Sequence, residues 1–480
     1  MIMMDEALYN NLVDDTNTLH CDQRNYNVNK VRIKNILFDN YDYLVSLDQS
    51  GKARPCILDN VQKSLLCATH YLGYDVFTCP VCDNFNFIPH TCHAHFCQKC
   101  GIKRSKQLAA SIVSFALDVT HRHVVFTIPK ELRVYFIKDR TLLNLLFVAA
   151  RNAMAQLVNK TIFERLKRKA DRKFKQMKTD FYTFKDFPDA KRFGMVATLH
   201  TFGRSLQWNP HIHAIIPEII YDPKKDIIKK FNYFDYKKLR KTFQYELLKL
   251  LEIKLGDEFK PAKRKCYYDH KEGFYVFAKP MLDSNDDSLP EEDISDNLKA
   301  CVSYCMRYAG RPPMSEERIV SYDGDKDNGT ISWYYIDHET EERVDVNESA
   351  HDFINKLIIH CPDPNFKMTR LYGFYSNRSQ DTLDRVHELL GNTKKKNRYR
   401  RHKIRKHNKD KLKYRTHLID TFNRDPIKCS CGNYMLFSRS VNPFSKEIDE
   451  DGIGGERNDR RYRNDCINEV RQLRIRRQST

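Results

Sequence analysis

The strongest constraint on the fold is a pair of Cys-x-x-Cys motifs near the start of the chain. Cys79-Pro-Val-Cys82 and Cys97-Gln-Lys-Cys100 are separated by fourteen residues. Each motif brings two thiolates to one side of a short turn, and four thiolates complete a tetrahedral Zn²⁺ site. The spacing therefore predicts a small module that is stabilised by one structural zinc bound to these four cysteines.

Further ligand-type residues lie close to these motifs. Cys67 and Cys92 are candidates for a second zinc site, together with His90, His93 and His95. The alternative is that they are buried thiols and solvated imidazoles. The chain has 15 cysteines but no basic-then-apolar segment at its start. Such clustering in a chain without a secretory signal favours metal binding over disulfides.

The charge of the chain indicates an anionic partner. The formal net charge is +19, and a dense Lys/Arg run covers residues 394–415. Nucleic acid is the first candidate for this partner and an acidic membrane surface the second. A charge run can also be simply solvated. Because no run of 18 apolar residues occurs, we expect no membrane-spanning helix. We predict phosphate contacts for basic residues in and before the run: Arg311, Arg318, Lys394, Lys395, Lys396, Arg400 and Arg401.

A second candidate metal site lies in the apolar segment 206–217, LQWNPHIHAIIP. Alternate side chains of a β-strand share one face, so His211 and His213 would project together. Two neutral imidazoles can supply two ligands to a divalent metal ion. If the strand predicted at 193–201 pairs antiparallel with this one, His200 lies close to His211 and is the candidate third ligand. Coincidence is the alternative for the pair, and a hydrogen bond in the loop is the alternative for His200.

Apolar periodicity predicts a mixture of helices and strands. Helices are predicted at 101–118, 142–157, 234–251, 298–308 and 352–360. Strands are predicted at 123–128, 193–201 and 212–216 and, as a small meander, at 318–322, 330–336 and 343–346. Tyr304 and Tyr308 stand four residues apart in one predicted helix, which places both on one helix face. Since the chain has 26 tyrosines, chance spacing and core packing are the alternatives.

The order of these motifs resembles that of the two-tyrosine rolling-circle transposases of the IS91 group of insertion sequences. That group lies within the HUH endonuclease superfamily, which is named for two histidines around a hydrophobic residue. The resemblance extends from about Cys67 to Cys431. Five blocks carry it: CPVC…TCHAHFCQKC, HVVFTIPKELR, LHTFGRSLQWNPHIHAIIP, YCMRYAGRPPMSEERI and FKMTRLYGFYSNR. The motif Cys429-Ser-Cys431-Gly432 departs from the CxxCG of the family by one residue, and the acidic stretch 283–296 is an addition.

The resemblance implies an α+β fold, in which a mostly antiparallel HUH-type sheet is flanked by helices and preceded by a zinc-ribbon-like module. It implies cleavage and rejoining of single-stranded DNA at element ends, with Tyr304 and Tyr308 as nucleophiles that form 5′-phosphotyrosine intermediates. It also implies Mg²⁺ or Mn²⁺ at His211 and His213, with His200 as the third ligand. The expected partners are single-stranded element ends and target DNA in the bacterial cytoplasm, at the nucleoid, with no membrane. The oligomeric state stays open.

These interpretations divide the chain into five parts. They are an N-terminal arm at 1–65, a zinc-binding module with a helix at 66–118, the HUH nuclease domain at 119–392, a basic segment with a partial cysteine knuckle at 393–435, and a disordered tail at 436–480. A rolling-circle replication initiator or a relaxase would use the same reaction. A zinc-bearing DNA-binding protein without catalysis is the other alternative.

Overall fold

The computed structural model describes residues 31–162, 189–231, 233–277, 291–310, 312–324, 328–337, 340–391, 427–441 and 457–478, together with Ile419 and Asp425. Helices and antiparallel strands alternate through these residues. This confirms the α+β prediction. The helices and strands predicted from periodicity are present, with boundaries that differ by several residues.

The helices are α1 Ile33–Asp39, α2 Tyr41–Gln49, α3 Pro55–Leu65, α4 Gln98–Phe115, α5 Arg133–Lys138, α6 Leu143–Val158, α7 Tyr236–Leu255, α8 Lys260–Asp269, α9 Glu291–Gly310, α10 Ala350–Ile358, α11 Gln380–Leu389 and α12 Arg457–Gln478. The strands are β1 Tyr74–Thr78, β2 Phe85–Pro89, β3 His121–Thr127, β4 Gly194–Phe202, β5 Trp208–Pro217, β6 Ile219–Asp222, β7 Ile227–Lys230, β8 Val276–Phe277, β9 Ile319–Tyr322, β10 Thr330–Ile336, β11 Arg343–Ser349, β12 Thr369–Gly373 and β13 Leu436–Val441.

A five-stranded sheet positions the candidate site. Its strands lie in the order β12-β4-β5-β3-β8, and each neighbouring pair is antiparallel. The short connection that contains Gly203 joins β4 to β5, and the register places His200 opposite His211. The predicted antiparallel pairing of these two strands is therefore confirmed.

The two faces of this sheet pack against different helices. Because side chains alternate along a strand, Phe126, Leu199 and Ile212 share one face, where they form the largest core with α6 and α7. On the opposite face, Val196 and Ile215 pack against α4 and α9. The histidines predicted to bind metal lie an even number of residues from Val196 on β4 and from Ile215 on β5. They therefore lie on the same face of the sheet, which α9 covers.

A second core forms away from the sheet. Apolar residues of α1 to α3, among them Ile36 and Leu58, pack with Trp333 of β10 and Phe353 of α10. The predicted N-terminal arm is thus a helical unit from Ile33 onward. The meander of β9 to β11 was assigned to the nuclease domain, but its buried side chains belong to this second core.

The prediction of a disordered tail at 436–480 is wrong for residues 436–441, which form β13, and for residues 457–478, which form α12. The charged composition of this segment was the basis of that prediction. The acidic residues of the first helices supply partners for it: Arg463, itself buried, lies 2.6 Å from a carboxylate oxygen of Asp59. Ile467 of α12 enters the second core.

A three-stranded ribbon unites distant parts of the chain. β1 pairs antiparallel with both β2 and β13, in the order β13-β1-β2. The range predicted for the zinc module, 66–118, therefore includes only two strands of this ribbon. The third strand, β13, comes from the C-terminal part of the chain. The buried core of this ribbon is small and consists of Phe77, Cys79, Ile88, Cys429 and Met435.

Within the part of the chain that the structure describes, one helical segment is apolar enough to span a membrane by length and composition. It covers Arg140–Val158, and 61% of its most apolar window is buried inside the protein. Within it, α6 packs against the central sheet and α7. We therefore assign this segment as the core helix of the sheet domain.

Candidate metal centres and tyrosine helix

Three imidazoles from two neighbouring strands meet on the face of the sheet that α9 covers. His200 lies on β4, and His211 and His213 lie on β5, where the alternation of side chains directs both to the same face. Their candidate ligand atoms all lie within 4.8 Å of one another. The structure thus brings together the three residues that the sequence proposed as metal ligands.

Burial keeps these imidazoles uncharged. It lowers the pKa of His211 to about 4, and it lowers the pKa of both His200 and His213 well below the usual value. At neutral pH each ring therefore carries a lone pair that can bind a metal ion. His211 donates from Nδ1 to the carbonyl of Asn209 at 2.6 Å, which leaves its Nε2 as the ligand atom.

A fourth histidine, which the sequence interpretation missed, belongs to the same cluster. Nε2 of His123 on β3 lies 2.7 Å from Nδ1 of His213, and their rings are stacked with centroids 4.9 Å apart. Burial lowers the pKa of His123 to about 4. The strand was predicted, but its place beside β5 was not, so no local signal could bring His123 to the site.

The buried thiol of Cys305 also lies near His123 and His213. Burial raises its pKa well above the ordinary value. The Cys305 group contains His123 and His213 but neither His200 nor His211, so it shares one imidazole with the three-histidine group. We leave Cys305 out of the candidate ligand set, which consists of imidazoles.

Tyr304 lies beside the imidazole cluster. Its ring centroid is 5.3 Å from that of His123, edge to face, and 6.3 Å from that of His213. The residue is 43% exposed, so its ring is open to solvent on one side. Tyr308 follows one turn later on the same helix, but its side chain lies outside the described part of the structure.

The packing of α9 fixes the position of Tyr304. Leu298, Val302 and Cys305 of this helix are buried at helical spacing against the sheet and α4. At the end of α9, a Cβ added to Gly310 would lie 2.8 Å from the backbone nitrogen of Ser105 on α4. The helices are therefore in backbone contact, which only glycine permits at this position.

The cysteines form two clusters rather than the one that was predicted. Near the N-terminus of α4 lies the helix-end cluster, which consists of Cys67, Cys92, Cys97 and Cys100. At the ribbon lies the clasp cluster, which consists of Cys79, Cys82, Cys429 and Cys431. The prediction of one site formed by Cys79, Cys82, Cys97 and Cys100 is therefore wrong. The suggestion from the sequence that Cys67 and Cys92 belong to a zinc site agrees with their place in the helix-end cluster.

The length of the β1–β2 hairpin explains why the two Cys-x-x-Cys motifs belong to different clusters. Cys79 and Cys82 lie in the turn at one end of the hairpin, and Cys92 follows its other end. The hairpin has five residue pairs, from Tyr74 opposite Pro89 to Thr78 opposite Phe85. Four steps of about 3.3 Å give a length of roughly 13 Å. A single ion cannot bridge that distance, so each Cys-x-x-Cys motif takes other partners.

The helix-end cluster fits a tetrahedral zinc ion. Cys67 Sγ lies 3.6 Å from Sγ of both Cys97 and Cys100, and Cys92 Sγ lies 3.6 Å from that of Cys100. Zn–S bonds of about 2.3 Å in a tetrahedron place the sulfurs about 3.8 Å apart. The backbone N–H of Ala94 donates to Cys92 Sγ at 3.3 Å, which would stabilise a bound thiolate.

Two family models match this chain. One is described as "Transposase zinc-binding domain" and matches residues 39–128, and the other is described as "Putative transposase" and matches residues 194–382. Together they cover more than half of the chain, including both the helix-end cluster and the imidazole cluster.

The chain belongs to the IS91 family of transposases.

Two curated relatives agree with this assignment. The chain is 25% identical over 364 residues to the "Transposase for insertion sequence element IS801" of Pseudomonas savastanoi pv. phaseolicola, an alignment that covers 75% of this transposase and 80% of the relative. It is 23% identical over 345 residues to "Putative transposase y4qJ" of Sinorhizobium fredii (strain NBRC 101917 / NGR234), covering 68% of this transposase and 76% of the relative. No solved structure matches.

Zn²⁺ is a cofactor of this transposase, since the zinc-binding family model and the thiolate geometry agree. The matched range begins at residue 39, inside the predicted arm 1–65. It ends after β3, which the structure places in the central sheet. The matched zinc-binding range thus extends from the helical N-terminal part into the first strand of the central sheet.

The predicted DNA-contacting residues of the transposase are mostly outside the described residues. This applies to Arg311, Lys394, Lys395, Lys396, Arg400 and Arg401. Arg318 is described and is engaged within the protein: its Nε donates to the carbonyl of Tyr334 at 2.9 Å, and its guanidinium lies 5.4 Å from the ring centre of Trp333. Its contact with DNA stays a prediction.

Proposed function

We propose that this transposase cleaves and rejoins single-stranded DNA at the ends of its element, with Tyr304 as a nucleophile and Tyr308 as the second one. The observation that carries the proposal is the position of the Tyr304 ring, which is partly exposed and lies beside the imidazoles of His123 and His213. Two neutral imidazoles at the edge of a half-exposed phenol are what a metal-assisted tyrosine nucleophile needs, whereas packing alone does not need them.

In the proposed reaction, Oη of Tyr304 attacks a phosphorus atom of the DNA backbone. The new P–Oη bond forms while the P–O3′ bond breaks, which leaves a 5′-phosphotyrosine and a 3′-hydroxyl. The phenol, with a free pKa of about 10, gives up its proton, and the leaving 3′-oxygen takes one from solvent. Because a phosphodiester is exchanged for another, a 3′-hydroxyl can reverse the step without ATP. In agreement, the sequence contains no G-x4-GK[ST] phosphate-binding loop.

We assign His200, His211 and His213 as ligands of the catalytic Mg²⁺ or Mn²⁺. An ion bound there would polarise the scissile phosphate and stabilise the leaving oxygen. Imidazole ligands suit Mn²⁺ better than Mg²⁺. Among the described residues, the candidate groups that contain these histidines include no carboxylate. His123 would accept the Nδ1 hydrogen of His213 and so direct the Nε2 of His213 toward the ion.

The proposed partners are single-stranded element ends and target DNA, reached in the bacterial cytoplasm at the nucleoid. The net charge of +19 supports binding to phosphate backbones. The ribbon presents aromatic side chains that could stack on unpaired bases, since Phe85 and Phe437 are 54% and 59% exposed. Trp208 is buried and donates from Nε1 to the carbonyl of Arg133, so it is not among these exposed aromatic side chains.

The test is a covalent capture assay with the full-length protein, a 5′-labelled or 3′-labelled single-stranded element end, and Mn²⁺ or Mg²⁺. A label on the 3′ side of the cut should appear on the protein after denaturing electrophoresis, and EDTA should remove this signal. Tyr304→Phe combined with Tyr308→Phe should abolish it. Tyr268→Phe, which alters an exposed tyrosine of α8, is the matched control and should leave it unchanged.

Two outcomes would favour other functions. If the double phenylalanine variant supports transposition as well as the parent, the chain acts by binding DNA and another nuclease supplies the chemistry. If cleavage occurs at a plasmid origin but not at element ends, the same chemistry serves replication initiation or strand transfer by a relaxase.

A further inference from the structure

We propose that a second structural Zn²⁺ joins the N-terminal part of the transposase to its C-terminal strand. Its ligands are the four thiolates of the clasp cluster, Cys79, Cys82, Cys429 and Cys431. Cys429 and Cys431 lie outside both ranges matched by the family models, 39–128 and 194–382. The inference does not depend on the cleavage chemistry.

The sulfur positions fit one tetrahedral ion. Sγ of Cys79 lies 3.6 Å from that of Cys431, and Sγ of Cys82 lies 3.5 Å from that of Cys429. The four candidate ligand atoms lie within 4.8 Å of one another. These separations match those of the helix-end cluster, and they are far longer than the disulfide bond of about 2.05 Å.

Two similar turns present the four sulfurs. At the first, the backbone N–H of Cys79 donates to the carbonyl of Asn84 at 2.7 Å. At the second, the N–H of Cys429 donates to the carbonyl of Asn433 at 2.8 Å. The two turns thus present their cysteine pairs to each other, although two residues separate the cysteines in the first turn and one residue separates them in the second.

The short Cys-Ser-Cys motif is accommodated by its own turn. Gly432 adopts a φ of +88° in the left-handed region, and its N–H donates to the carbonyl of Cys429 at 3.0 Å. The side-chain amide of Asn433 donates to Cys431 Sγ at 3.4 Å, which would stabilise a bound thiolate. The missing residue therefore does not prevent both sulfurs from facing the opposite turn.

Besides its five residue pairs with β1, the third strand of the ribbon has little buried apolar surface to hold it. Five residues of β13 are exposed, and among the residues that the structure describes the core cluster of the ribbon contains three side chains besides its two cysteines: Phe77, Ile88 and Met435. Small domains with so little apolar burial commonly depend on a metal ion for folding. A zinc ion at the clasp cluster would supply the link between β13 and β1.

Four cysteines are a typical ligand set of structural zinc. Four thiolates in a tetrahedron bind Zn²⁺ or an iron–sulfur centre. The clasp cluster fits a single ion, because its paired sulfurs lie about as far apart as those around one zinc. The occupant is thus one Zn²⁺, held by two thiolates from each end of the described chain.

The test is the metal content of the purified full-length protein, measured by inductively coupled plasma mass spectrometry. The parent should contain two zinc ions per chain. Cys431→Ser, at the exposed edge of the clasp cluster, should contain one, and Cys97→Ser, in the helix-end cluster, should also contain one. Cys266→Ser alters a buried cysteine of α8 that belongs to neither cluster, and it should keep two.

Hydrogen exchange on the same variants separates loss of the ion from general unfolding. In Cys431→Ser, backbone amides of β13 and β1 should exchange at least tenfold faster, while those of β5 keep their protection. One zinc per chain in the parent, unchanged by Cys431→Ser, would overturn the proposal. So would stoichiometric iron in place of the second zinc, or unaltered exchange in β13 after the second ion is lost.

Discussion

The ring of Tyr304 meets the ring of His123 edge to face, with 5.3 Å between the two centroids. His123 is in turn 2.7 Å from His213 through facing ring nitrogens. The candidate nucleophile on α9 and a candidate metal ligand on β5 are thus connected through one side chain of β3. A change at His123 should therefore affect both metal binding and the orientation of the tyrosine.

His123→Ala should weaken Mn²⁺ binding by about 10- to 100-fold, the usual effect of removing a hydrogen-bond partner of a metal-binding imidazole. His123→Gln keeps a hydrogen-bonding group, so its Mn²⁺ affinity should decrease less than that of His123→Ala. Electron paramagnetic resonance of Mn²⁺ titrations measures the affinity directly, without relying on cleavage. Tyr304→Phe serves as the control and should bind Mn²⁺ like the parent. Equal Mn²⁺ affinities in all of these proteins would exclude the positioning role of His123.

The ligand assignment predicts a larger effect for the three histidines on β4 and β5. Alanine at His200, His211 or His213 should reduce Mn²⁺ affinity by more than about 100-fold and abolish covalent capture, because each removes a direct ligand. Binding of single-stranded DNA should change little. His351→Ala, on α10 and outside the candidate metal-binding groups of the described residues, is the matched control. If one of the three variants keeps full Mn²⁺ affinity, that residue is not a ligand.

The parts of the site that the sequence predicted are those set by local rules. His211 and His213 share a face because of the two-residue period of a strand, and His200 joins them because a short connection forces β4 and β5 to pair. The register of a hairpin depends on nearby residues. The helix with Tyr304 was predicted for a similar reason, from apolar residues at helical spacing.

The parts that the sequence did not predict depend on contacts between distant segments. The two partners of Cys79 and Cys82 are about 350 positions away in the sequence. Arg463 is buried with Asp59 and Gln62 as partners, and both lie on a helix near the other end of the chain. Motif spacing contains no information on such pairings, so the nearest available cysteines were chosen as the partners, which was wrong.

The buried histidine His360 predicts a pH dependence of stability. Nε2 of His360 donates to the carbonyl of Leu206 at 2.9 Å, and its Nδ1 accepts from the hydroxyl of Thr201 at 3.1 Å. Burial lowers its pKa to about 4, against about 6.5 in an unfolded chain. As pH falls from 6.5 to 4, the unfolded state binds a proton that the folded state does not, so the free energy of unfolding decreases. Above pH 6.5 this group has no such effect.

A pKa difference of this size lowers the free energy of unfolding by about 3 kcal/mol between pH 6.5 and 4, at about 1.4 kcal/mol per pKa unit. His360→Gln cannot titrate, so its stability should fall less steeply than that of the parent between pH 6.5 and 4. Urea unfolding at a series of pH values measures both slopes, and contributions from the other buried histidines cancel in their difference. Parallel slopes would show that His360 is protonated equally in both states.

The contact between α9 and α4 predicts that Gly310→Ala is destabilising. The added Cβ would lie 2.8 Å from the backbone nitrogen of Ser105 and 3.0 Å from the carbonyl oxygen of Gly101, and neither atom can move without moving α4. Overpacking of this kind costs about 1–3 kcal/mol. Since α9 carries Tyr304, the displaced helix should also reduce covalent capture in the fraction of protein that stays folded.

Gly203→Ala is the matched control for this substitution. An added Cβ at Gly203, in the connection between β4 and β5, would have no neighbouring atom within 4 Å. Its free energy of unfolding should therefore stay within about 0.5 kcal/mol of the parent value, as expected for a surface substitution. Urea unfolding measures both variants. If Gly310→Ala is as stable as Gly203→Ala, α4 and α9 can separate without cost, and the position of Tyr304 does not depend on their close approach.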